Sequence, residues 1–223
     1  LVLVREDFSR QLDGARRVAT SRHAADSARW PIIAALLMTA MMVLLANMSI
    51  EPIITVYIGD LGVALDDQAR IAGIVMACSA LGSILTAARL GALADRVGSW
   101  KVIIGCLVLT GIVMVPQAFV TQWWQLAVLR GLMGMTLAGL LPAIAKLIRQ
   151  SVAEHNSGKI LGYLQSAQFS GQVIGPLIGG QIGAHFGLHQ VFLVTGALLV
   201  SCAGVNGWIR SRIGTLQSAT TPR

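Results

Sequence analysis

The sequence predicts an all-helical membrane protein whose chain crosses the bilayer six times. Apolar residues make up 55% of its 223 positions, charged residues make up only 12%, and the mean hydropathy is +0.70. A soluble domain with a hydrated surface does not have this balance. Apolar stretches of about 20 residues, enough to cross roughly 30 Å of hydrocarbon, recur along the chain. The predicted spans are Pro31–Ile58, Ala69–Leu90, Val102–Val120, Trp123–Ile148, Ile160–His185 and Val191–Ile209.

Positive charge predicts the orientation of these spans. Fifteen of the 17 Lys and Arg residues lie before Trp30, beside the connections after the second and fourth spans, or after the last span. Because Lys and Arg remain with cytoplasmic segments, we expect both ends of the bundle in the cytoplasm. The tryptophans lie at predicted span ends, where an indole prefers the interface; they are Trp30, Trp100, Trp123, Trp124 and Trp208.

The net charge and the cysteines exclude two classes of site. The net charge of +7 would suggest nucleic acid in a soluble protein, but here the basic residues are spread over four cytoplasmic segments. Anionic lipid headgroups explain them, so no nucleic-acid partner is expected. Cys78, Cys106 and Cys202 all lie inside predicted spans and are odd in number, which supports neither a disulfide framework nor a metal site.

Two charged residues inside the spans are the candidates for proton coupling. Glu51 lies seven residues before the end of the first span and Arg130 seven residues after Trp123, so at ~1.5 Å per residue both are roughly 10 Å deep. An isolated carboxylate there tends to take up a proton, whereas a nearby Arg keeps it ionised. The alternative is a static ion pair that locks the two helices together. Pro52 is expected to weaken the first helix at this point.

A short charged connection joins the second and third spans over residues 91–101. Gly91 and Gly98 allow close helix approach and a left-handed turn, and Asp95 is expected to cap the N–H groups of the third helix. Arg96 holds the loop on the cytoplasmic side. We interpret this connection as a gating loop that docks on neighbouring helix ends in one access state. The alternative is a turn that only fixes the topology.

The fifth span carries a stripe of glycines. Gly171, Gly175, Gly179 and Gly183 recur every four residues, so one side of the helix lacks side chains and a neighbouring helix can approach closely. Pro176 removes a backbone hydrogen bond and is expected to bend the helix. The stripe indicates small-residue packing, a gating role, or both.

The same span carries three glutamines on one face. Gln165, Gln168 and Gln172 are spaced i, i+3 and i+7. Amides in lipid are costly unless they face water or a hydrogen-bonding partner. We therefore expect this face to line a cavity, with hydrogen bonds between helices as the alternative.

Composition divides the chain into three segments. Residues 1–29 are interpreted as the end of a preceding helix followed by a polar cytoplasmic linker, residues 30–210 as the six-span bundle, and residues 211–223 as a cytoplasmic tail. A soluble N-terminal tail on a complete six-span protein is the alternative for residues 1–29.

Two motifs resemble the major facilitator superfamily. The loop pattern G-x-x-x-D-R-x-G of that family is matched from Gly91 to Gly98, although Ser99 and Trp100 stand where the family often has basic residues. A glycine series in the fifth span is similar to the antiporter motif of the drug:proton exporters in this family. It comprises Gly162, Gly171, Gly175, Pro176, Gly179 and Gly180.

The order of segments resembles the C-terminal half of such exporters. The resemblance implies a six-helix half of the major-facilitator fold, itself a 3+3 inverted repeat, with a missing N-terminal six-helix half as its partner. It also implies that the first and fourth helices line the central cavity, so that Glu51 and Arg130 share one water-filled path.

The resulting expectation is a transporter, not an enzyme, that exports small amphipathic or cationic compounds in exchange for protons by alternating access. Its partners are the small-molecule substrate, membrane lipids and the missing half; it needs no cofactor or metal, only the proton gradient. It is expected in the bacterial inner membrane as a multi-pass protein. The alternatives are a proton-coupled sugar or metabolite symporter, a six-span scaffold, and an intramembrane enzyme. The enzyme would need a Ser or Cys nucleophile with a His base deep in a span, and no His lies there.

Overall fold

A computed structural model describes residues 30–152 and 156–219, with side chains through residue 212. The predicted preceding helix and linker, residues 1–29, lie outside the described residues. The described ranges form six helices, one for each predicted span. They are α1 Trp30–Asp60, α2 Leu65–Val97, α3 Ser99–Gln117, α4 Trp123–Ser151, α5 Ser157–Phe186 and α6 Leu188–Ala219. The last helix therefore extends through most of the predicted tail.

Five of these helices, within the described ranges, are long and apolar enough to cross a membrane. The exception is α5, which has 30 residues but carries seven glycines and four glutamines. These residues lower the mean hydropathy of α5, although the helix is long enough to cross a membrane. A helix of this composition needs neighbours on several sides, because its polar groups are costly against lipid.

Two helices are interrupted. A 3-10 turn over Glu51–Ile53 divides α1, because the ring of Pro52 cannot donate the α-helical hydrogen bond. This confirms the predicted weak point. The second interruption was not predicted: α4 consists of Trp123–Leu137 and Leu140–Ser151, separated near Gly139. A Cβ on Gly139 would lie 2.7 Å from the Cβ of Leu90, so α2 passes close to this break.

The connection between α2 and α3 is shorter than predicted. Only Gly98 separates the two helices, in a left-handed conformation with φ of 97°. Gly91 lies within α2, and a Cβ on it would meet no atom within 4 Å, so the expected close approach there is wrong. The expected cap is also wrong: Asp95 lies in the last turns of α2, and α3 begins without a side-chain cap. The reason is that α2 stays helical through Val97, which carries Asp95 away from the start of α3.

The helices pack in three pairs, each with a seam of glycines. In the α1/α5 seam, a Cβ on Gly175 would lie 2.7 Å from the carbonyl oxygen of Leu45. In the α3/α6 seam, a Cβ on Gly111 would lie 2.9 Å from the carbonyl oxygen of Gly196. Backbones that approach this closely gain van der Waals contact, which drives helix association where lipid supplies no hydrophobic force.

The α2/α4 seam adds hydrogen bonds to close packing. A Cβ on Gly82 would overlap the carbonyl oxygen of Gly131. Beside it, the Ser83 hydroxyl donates to the carbonyl oxygen of Gly134 at 2.9 Å, and the Thr86 hydroxyl lies 3.0 Å from the carbonyl oxygen of Met135. The α2/α4 pair therefore combines backbone contact with hydrogen bonds between the helices.

The two ends of the bundle differ in charge. At the basic end α1 begins and the α2–α3 and α4–α5 connections lie, with Lys101, Arg149 and Lys159 nearby. At the acidic end α1 runs into the α1–α2 connection, which is flanked by Asp60 at the end of α1 and Asp66 at the start of α2. The core has two parts, one toward each end, and the part toward the acidic end surrounds Arg130.

Candidate functional site

Glu51 lies at the interruption of α1. Its carboxylate is half-buried, and the amide of Asn47, one turn earlier, donates to Oε1 at 3.0 Å. Because the 3-10 turn breaks the regular helical ladder, this carboxylate is held by a local side chain beside irregular backbone. The amide orients Glu51 without neutralising its charge.

Arg130 lies inside the bundle. Its side chain is only 1% exposed, and it shares the buried face of α4 with Leu126 and Met133. Within the described chain, its Nε and Nη2 have no hydrogen-bond partner. The expectation that Arg130 lines an open path alongside Glu51 is therefore not what the structure shows, since its guanidinium is enclosed by its own half.

Glu51 and Arg130 nevertheless adjoin the same part of the core. Ile50 and Ile53, on either side of Glu51, belong to the core cluster that contains Leu126 and Met133 of the Arg130 face. Among the described residues, however, no ion pair joins them; the ion pairs found there are Arg70 with Asp67 and Lys146 with Asp95. That the two charges share a depth and one water-filled path stays a prediction, and the alternative of a static ion pair that locks α1 to α4 is not observed in the described chain.

Sequence reasoning missed a third polar group near Arg130. Gln117, at the end of α3, is fully buried, and its Nε2 donates to the carbonyl oxygen of Val113 at 3.2 Å. The same nitrogen lies 3.9 Å from Sδ of Met133, one turn after Arg130 on α4. Its Oε1 has no partner within the residues described. The only sequence signal was an amide next to Pro116 at a span end, a position typical of the membrane interface.

Tyr57 anchors the segment that contains Gln117. Its hydroxyl donates to the main-chain oxygen of Gln117 at 3.0 Å, and its ring packs against Phe192. The edge of the His189 ring meets the Tyr57 ring at 5.5 Å, and His189 Nδ1 is hydrogen-bonded to the carbonyl oxygen of Ala118. The ends of α1, α3 and α6 are thus joined at the acidic end.

The glutamine face of α5 is open. Gln165 is exposed, while Gln168 and Gln172 are half-buried. None of the three amides forms a side-chain hydrogen bond with another residue in the part of the chain that the structure describes. The alternative of hydrogen bonds between helices is therefore not observed within this half, and the face remains available to water or substrate.

Glu51 and the glutamine face lie on the same flank of the α1/α5 seam. The two helices run parallel, because Gly171 packs against Met41 and Gly175 against Leu45. At ~100° per residue, Glu51 and Gln172 point to the same side of this seam. Gln172 lies near the level of Leu44, about 10 Å along α1 from Glu51. A polar track therefore runs along this flank from the carboxylate toward the basic end.

The predicted packing glycines divide into two groups. Gly171, Gly175 and Gly179 contact the backbone of α1 as expected, whereas a Cβ on Gly183 would instead lie 3.1 Å from the Leu188 side chain of α6. A Cβ on Gly162 or Gly180 would meet no atom of the described residues within 4 Å. Those two glycines have no packing role within this half. The helix α5 continues through Pro176 without interruption.

Asp95 connects the predicted gating loop to α4. The Lys146 ammonium donates to Asp95 Oδ1 across the basic end. Both side chains are accessible, at 66% exposure for Asp95 and 38% for Lys146. Arg96 is exposed beside them. The loop therefore contacts a neighbouring helix end through one accessible ion pair.

Comparison with known proteins gives the family. A profile of the Major Facilitator Superfamily matches residues 32–222. The chain is 33% identical over 215 residues to the multidrug resistance protein MdtG of Enterobacter lignolyticus, which covers 96% of this chain and 51% of that protein. It is 36% identical over 169 residues to MdtG of Dickeya zeae, covering 76% of this chain and 41% of that protein. The chain spans about half the length of the curated relatives it matches.

Solved structures show the same fold. A bacterial homologue of the human lysosomal transporter Spinster, in an inward-facing and unoccupied conformation, superposes with a TM-score of 0.68 at 17% identity. The match covers 81% of this chain and 42% of that one. The profile match over most of the chain, together with this six-helix architecture, means that the chain belongs to the major facilitator superfamily.

Proposed function

We propose that this chain is one six-helix half of a multidrug exporter of the bacterial inner membrane, which exchanges small amphipathic or cationic compounds for protons by alternating access. Its curated relatives carry the name multidrug resistance protein. The observation that carries the coupling proposal is a half-buried carboxylate, Glu51, beside the core cluster that encloses the guanidinium of Arg130. In this proposal the chain acts as a transporter and not as an enzyme.

Proton exchange follows from competition at Glu51. For a partly buried carboxyl near an Arg, burial favours the protonated form and the cation favours the ionised form. We propose that changes in the surroundings of Glu51 shift the balance between these two effects. A cation that enters the flank beside Glu51 favours the ionised form and displaces a proton; a proton arriving later weakens the cation's binding.

The substrate path follows the polar flank of the α1/α5 seam. Gln165, Gln168 and Gln172 supply amides with free hydrogen-bonding capacity along this track. A second six-helix half, which the relatives' length suggests, would close the opposite wall of the cavity. Both ends of the present chain lie in the cytoplasm in this proposal, because the basic residues gather at the end where α1 begins.

The Asp95–Lys146 contact supports a gating role for the α2–α3 connection. An accessible ion pair contributes little to stability, with a typical range of about 0–1 kcal/mol. It can therefore break and form as the access state changes without unfolding the helix ends. We propose that it closes the basic end in one state and opens in the other.

The test of proton coupling is Glu51→Gln in the intact transporter, that is, this chain together with its other half. Everted membrane vesicles carrying the variant should insert normally but lose dye efflux driven by the proton gradient. Asp67→Asn is the matched control, because Asp67 is an exposed carboxylate at the acidic end, paired with Arg70. Efflux by Glu51→Gln at the rate of the control would remove Glu51 from the mechanism.

The same vesicles distinguish the alternatives. Substrate movement in the same direction as the protons would replace the exporter by a sugar or metabolite symporter. The absence of any gradient-dependent transport, with folded protein in the membrane, would favour a scaffold.

A further inference from the structure

Two hydrogen-bond donors of the buried Arg130 side chain, Nε and Nη2, have no partner in the described chain. Burying a guanidinium whose donors lack partners is costly, so an enclosed Arg needs an acceptor within reach. The enclosed side of its site offers one unused acceptor, Oε1 of Gln117, which is itself fully buried and without a partner among the described residues. The other candidate acceptor is the half-buried Glu51 carboxylate, whose neighbours Ile50 and Ile53 belong to the same core cluster.

The contacts place Gln117 beside the face of α4 that carries Arg130. The Gln117 amide nitrogen reaches Sδ of Met133, which lies three residues after Arg130 and therefore on the same side of the helix. Tyr57 holds the backbone of Gln117 in place from the α1 side. Residues on either side of Gln117 and of Glu51 belong to the core cluster around Arg130, so both acceptors are carried by elements packed around its side chain.

We propose that Gln117 is a positioning residue for proton exchange, whose side-chain oxygen accepts from Arg130 when Glu51 is protonated and releases it when Glu51 is ionised. The inference rests on the proposed function. When Glu51 loses its proton to water in the cavity, the O–H bond breaks and the carboxylate attracts the guanidinium. Arg130 stays protonated throughout, and only its hydrogen-bond partner changes.

Several ionisable groups lie on the elements packed around Arg130. Toward the acidic end they are Glu51, Tyr57 and Asp60 of α1, Asp66, Asp67, Arg70 and Cys78 of α2, and His189 of α6. Asp67 is paired with Arg70. Tyr57 and His189 are held by the main-chain oxygens of Gln117 and Ala118. In the described part of α3, Gln117 supplies the acceptor and no charged side chain lies at this level.

The test measures the pH dependence of binding of tetraphenylphosphonium, a lipophilic cation, to the purified intact transporter. Gln117→Met keeps the side chain's volume but removes the acceptor. Arg130 should then remain close to Glu51, and this carboxylate should stay ionised to lower pH. The pH midpoint of binding should fall by about one unit, a tenfold change in proton affinity. Gln117→Glu should move it in the opposite direction, because the new carboxylate retains Arg130 and leaves Glu51 without its cation.

Asn206 provides the matched control. It is another buried amide, 1% exposed, whose Nδ2 donates to the Thr39 hydroxyl at 2.8 Å and whose Oδ1 has no partner in the described chain. It belongs to α6, on the side of the other core cluster. Asn206→Met should cost stability as Gln117→Met does, yet leave the pH midpoint unchanged.

The outcomes separate this inference from the proposed function. An unchanged midpoint in folded Gln117→Met, or a rise, would overturn the role of Gln117. If Gln117→Met is not recovered, the direction of the shift in Gln117→Glu decides, and a fall or no shift overturns the role. If the unaltered transporter shows no pH midpoint, or Glu51→Gln retains it, the proposed coupling itself fails.

Discussion

A Cβ on Gly179 would overlap the carbonyl oxygen of Ser49. This contact closes the α1/α5 seam two residues before Glu51, so the same packing that joins the helices also sets the position of the candidate carboxylate. No side chain fits between the helices at Gly179, because the backbone of Ser49 cannot move aside as a flexible side chain would.

The first prediction tests this seam. Gly179→Ala should push α5 away from α1 and destabilise the intact transporter by about 1–3 kcal/mol, the usual cost of overpacking. Gly180→Ala is the control, since a Cβ there meets no atom within 4 Å. It should be neutral or slightly stabilising, because Ala favours helix by up to about 1 kcal/mol over Gly. Thermal unfolding in detergent measures both, and equal midpoints would contradict the seam.

Local features of this fold were predictable from sequence. The 3-10 turn at Glu51–Ile53 follows from the geometry of Pro52, and the left-handed turn at Gly98 follows from its missing side chain. Both effects act within a few residues, which is the range over which sequence dictates conformation. The number of helices was also predictable, because each span is one continuous apolar stretch of the chain.

The side-chain contacts between different helices could not be predicted from the sequence. Asp95 was expected to cap the next helix, but its partner Lys146 lies on α4, 51 residues further along the chain. Gln117 was not predicted as a site residue, because nothing near it in sequence shows that Tyr57 and Met133 contact it. Such contacts depend on which helices pair, and a single sequence with six similar apolar spans does not specify the pairing.

The second prediction tests whether Arg130 serves proton coupling or the stability of the fold. Because Nε and Nη2 are buried without partners in the described chain, Arg130 carries an uncompensated desolvation cost. Arg130→Met should therefore leave the thermal stability of the intact transporter unchanged, or raise it by about 1–4 kcal/mol, while abolishing proton-driven efflux.

If Arg130 instead formed a structural ion pair, we would expect Arg130→Met to lose stability and to retain efflux. Breaking a buried pair by removing one partner typically costs about 3–5 kcal/mol. A loss of that size in Arg130→Met, with efflux per folded molecule retained, would show that Arg130 is a structural lock. Leu126→Met, on the same buried face of α4, controls for the effect of a methionine in this core.

The third prediction concerns the ion pair at the basic end. Asp95→Asn should change the free energy of unfolding by less than about 1 kcal/mol, because both partners are accessible to water. If the pair is the closing contact of the gate, efflux should fall several-fold all the same. The exchanged double variant, Asp95→Lys with Lys146→Asp, should recover part of the lost rate, and no recovery would argue against a direct role for this contact.

The fourth prediction locates water along the glutamine face. In a transporter whose Cys78, Cys106 and Cys202 have been replaced by serine or alanine, Gln172→Cys should react with a membrane-impermeant maleimide. Ile174→Cys is the comparison, because Ile174 lies on the opposite side of α5 and is 37% exposed, much as the half-buried Gln172 is. Only a thiolate reacts, and it forms in water but hardly in hydrocarbon, so Gln172→Cys should label at least ~10-fold faster. Addition of a transported cation should slow this labelling by occupying the same flank, whereas equal rates at the two positions would place the glutamines outside the cavity.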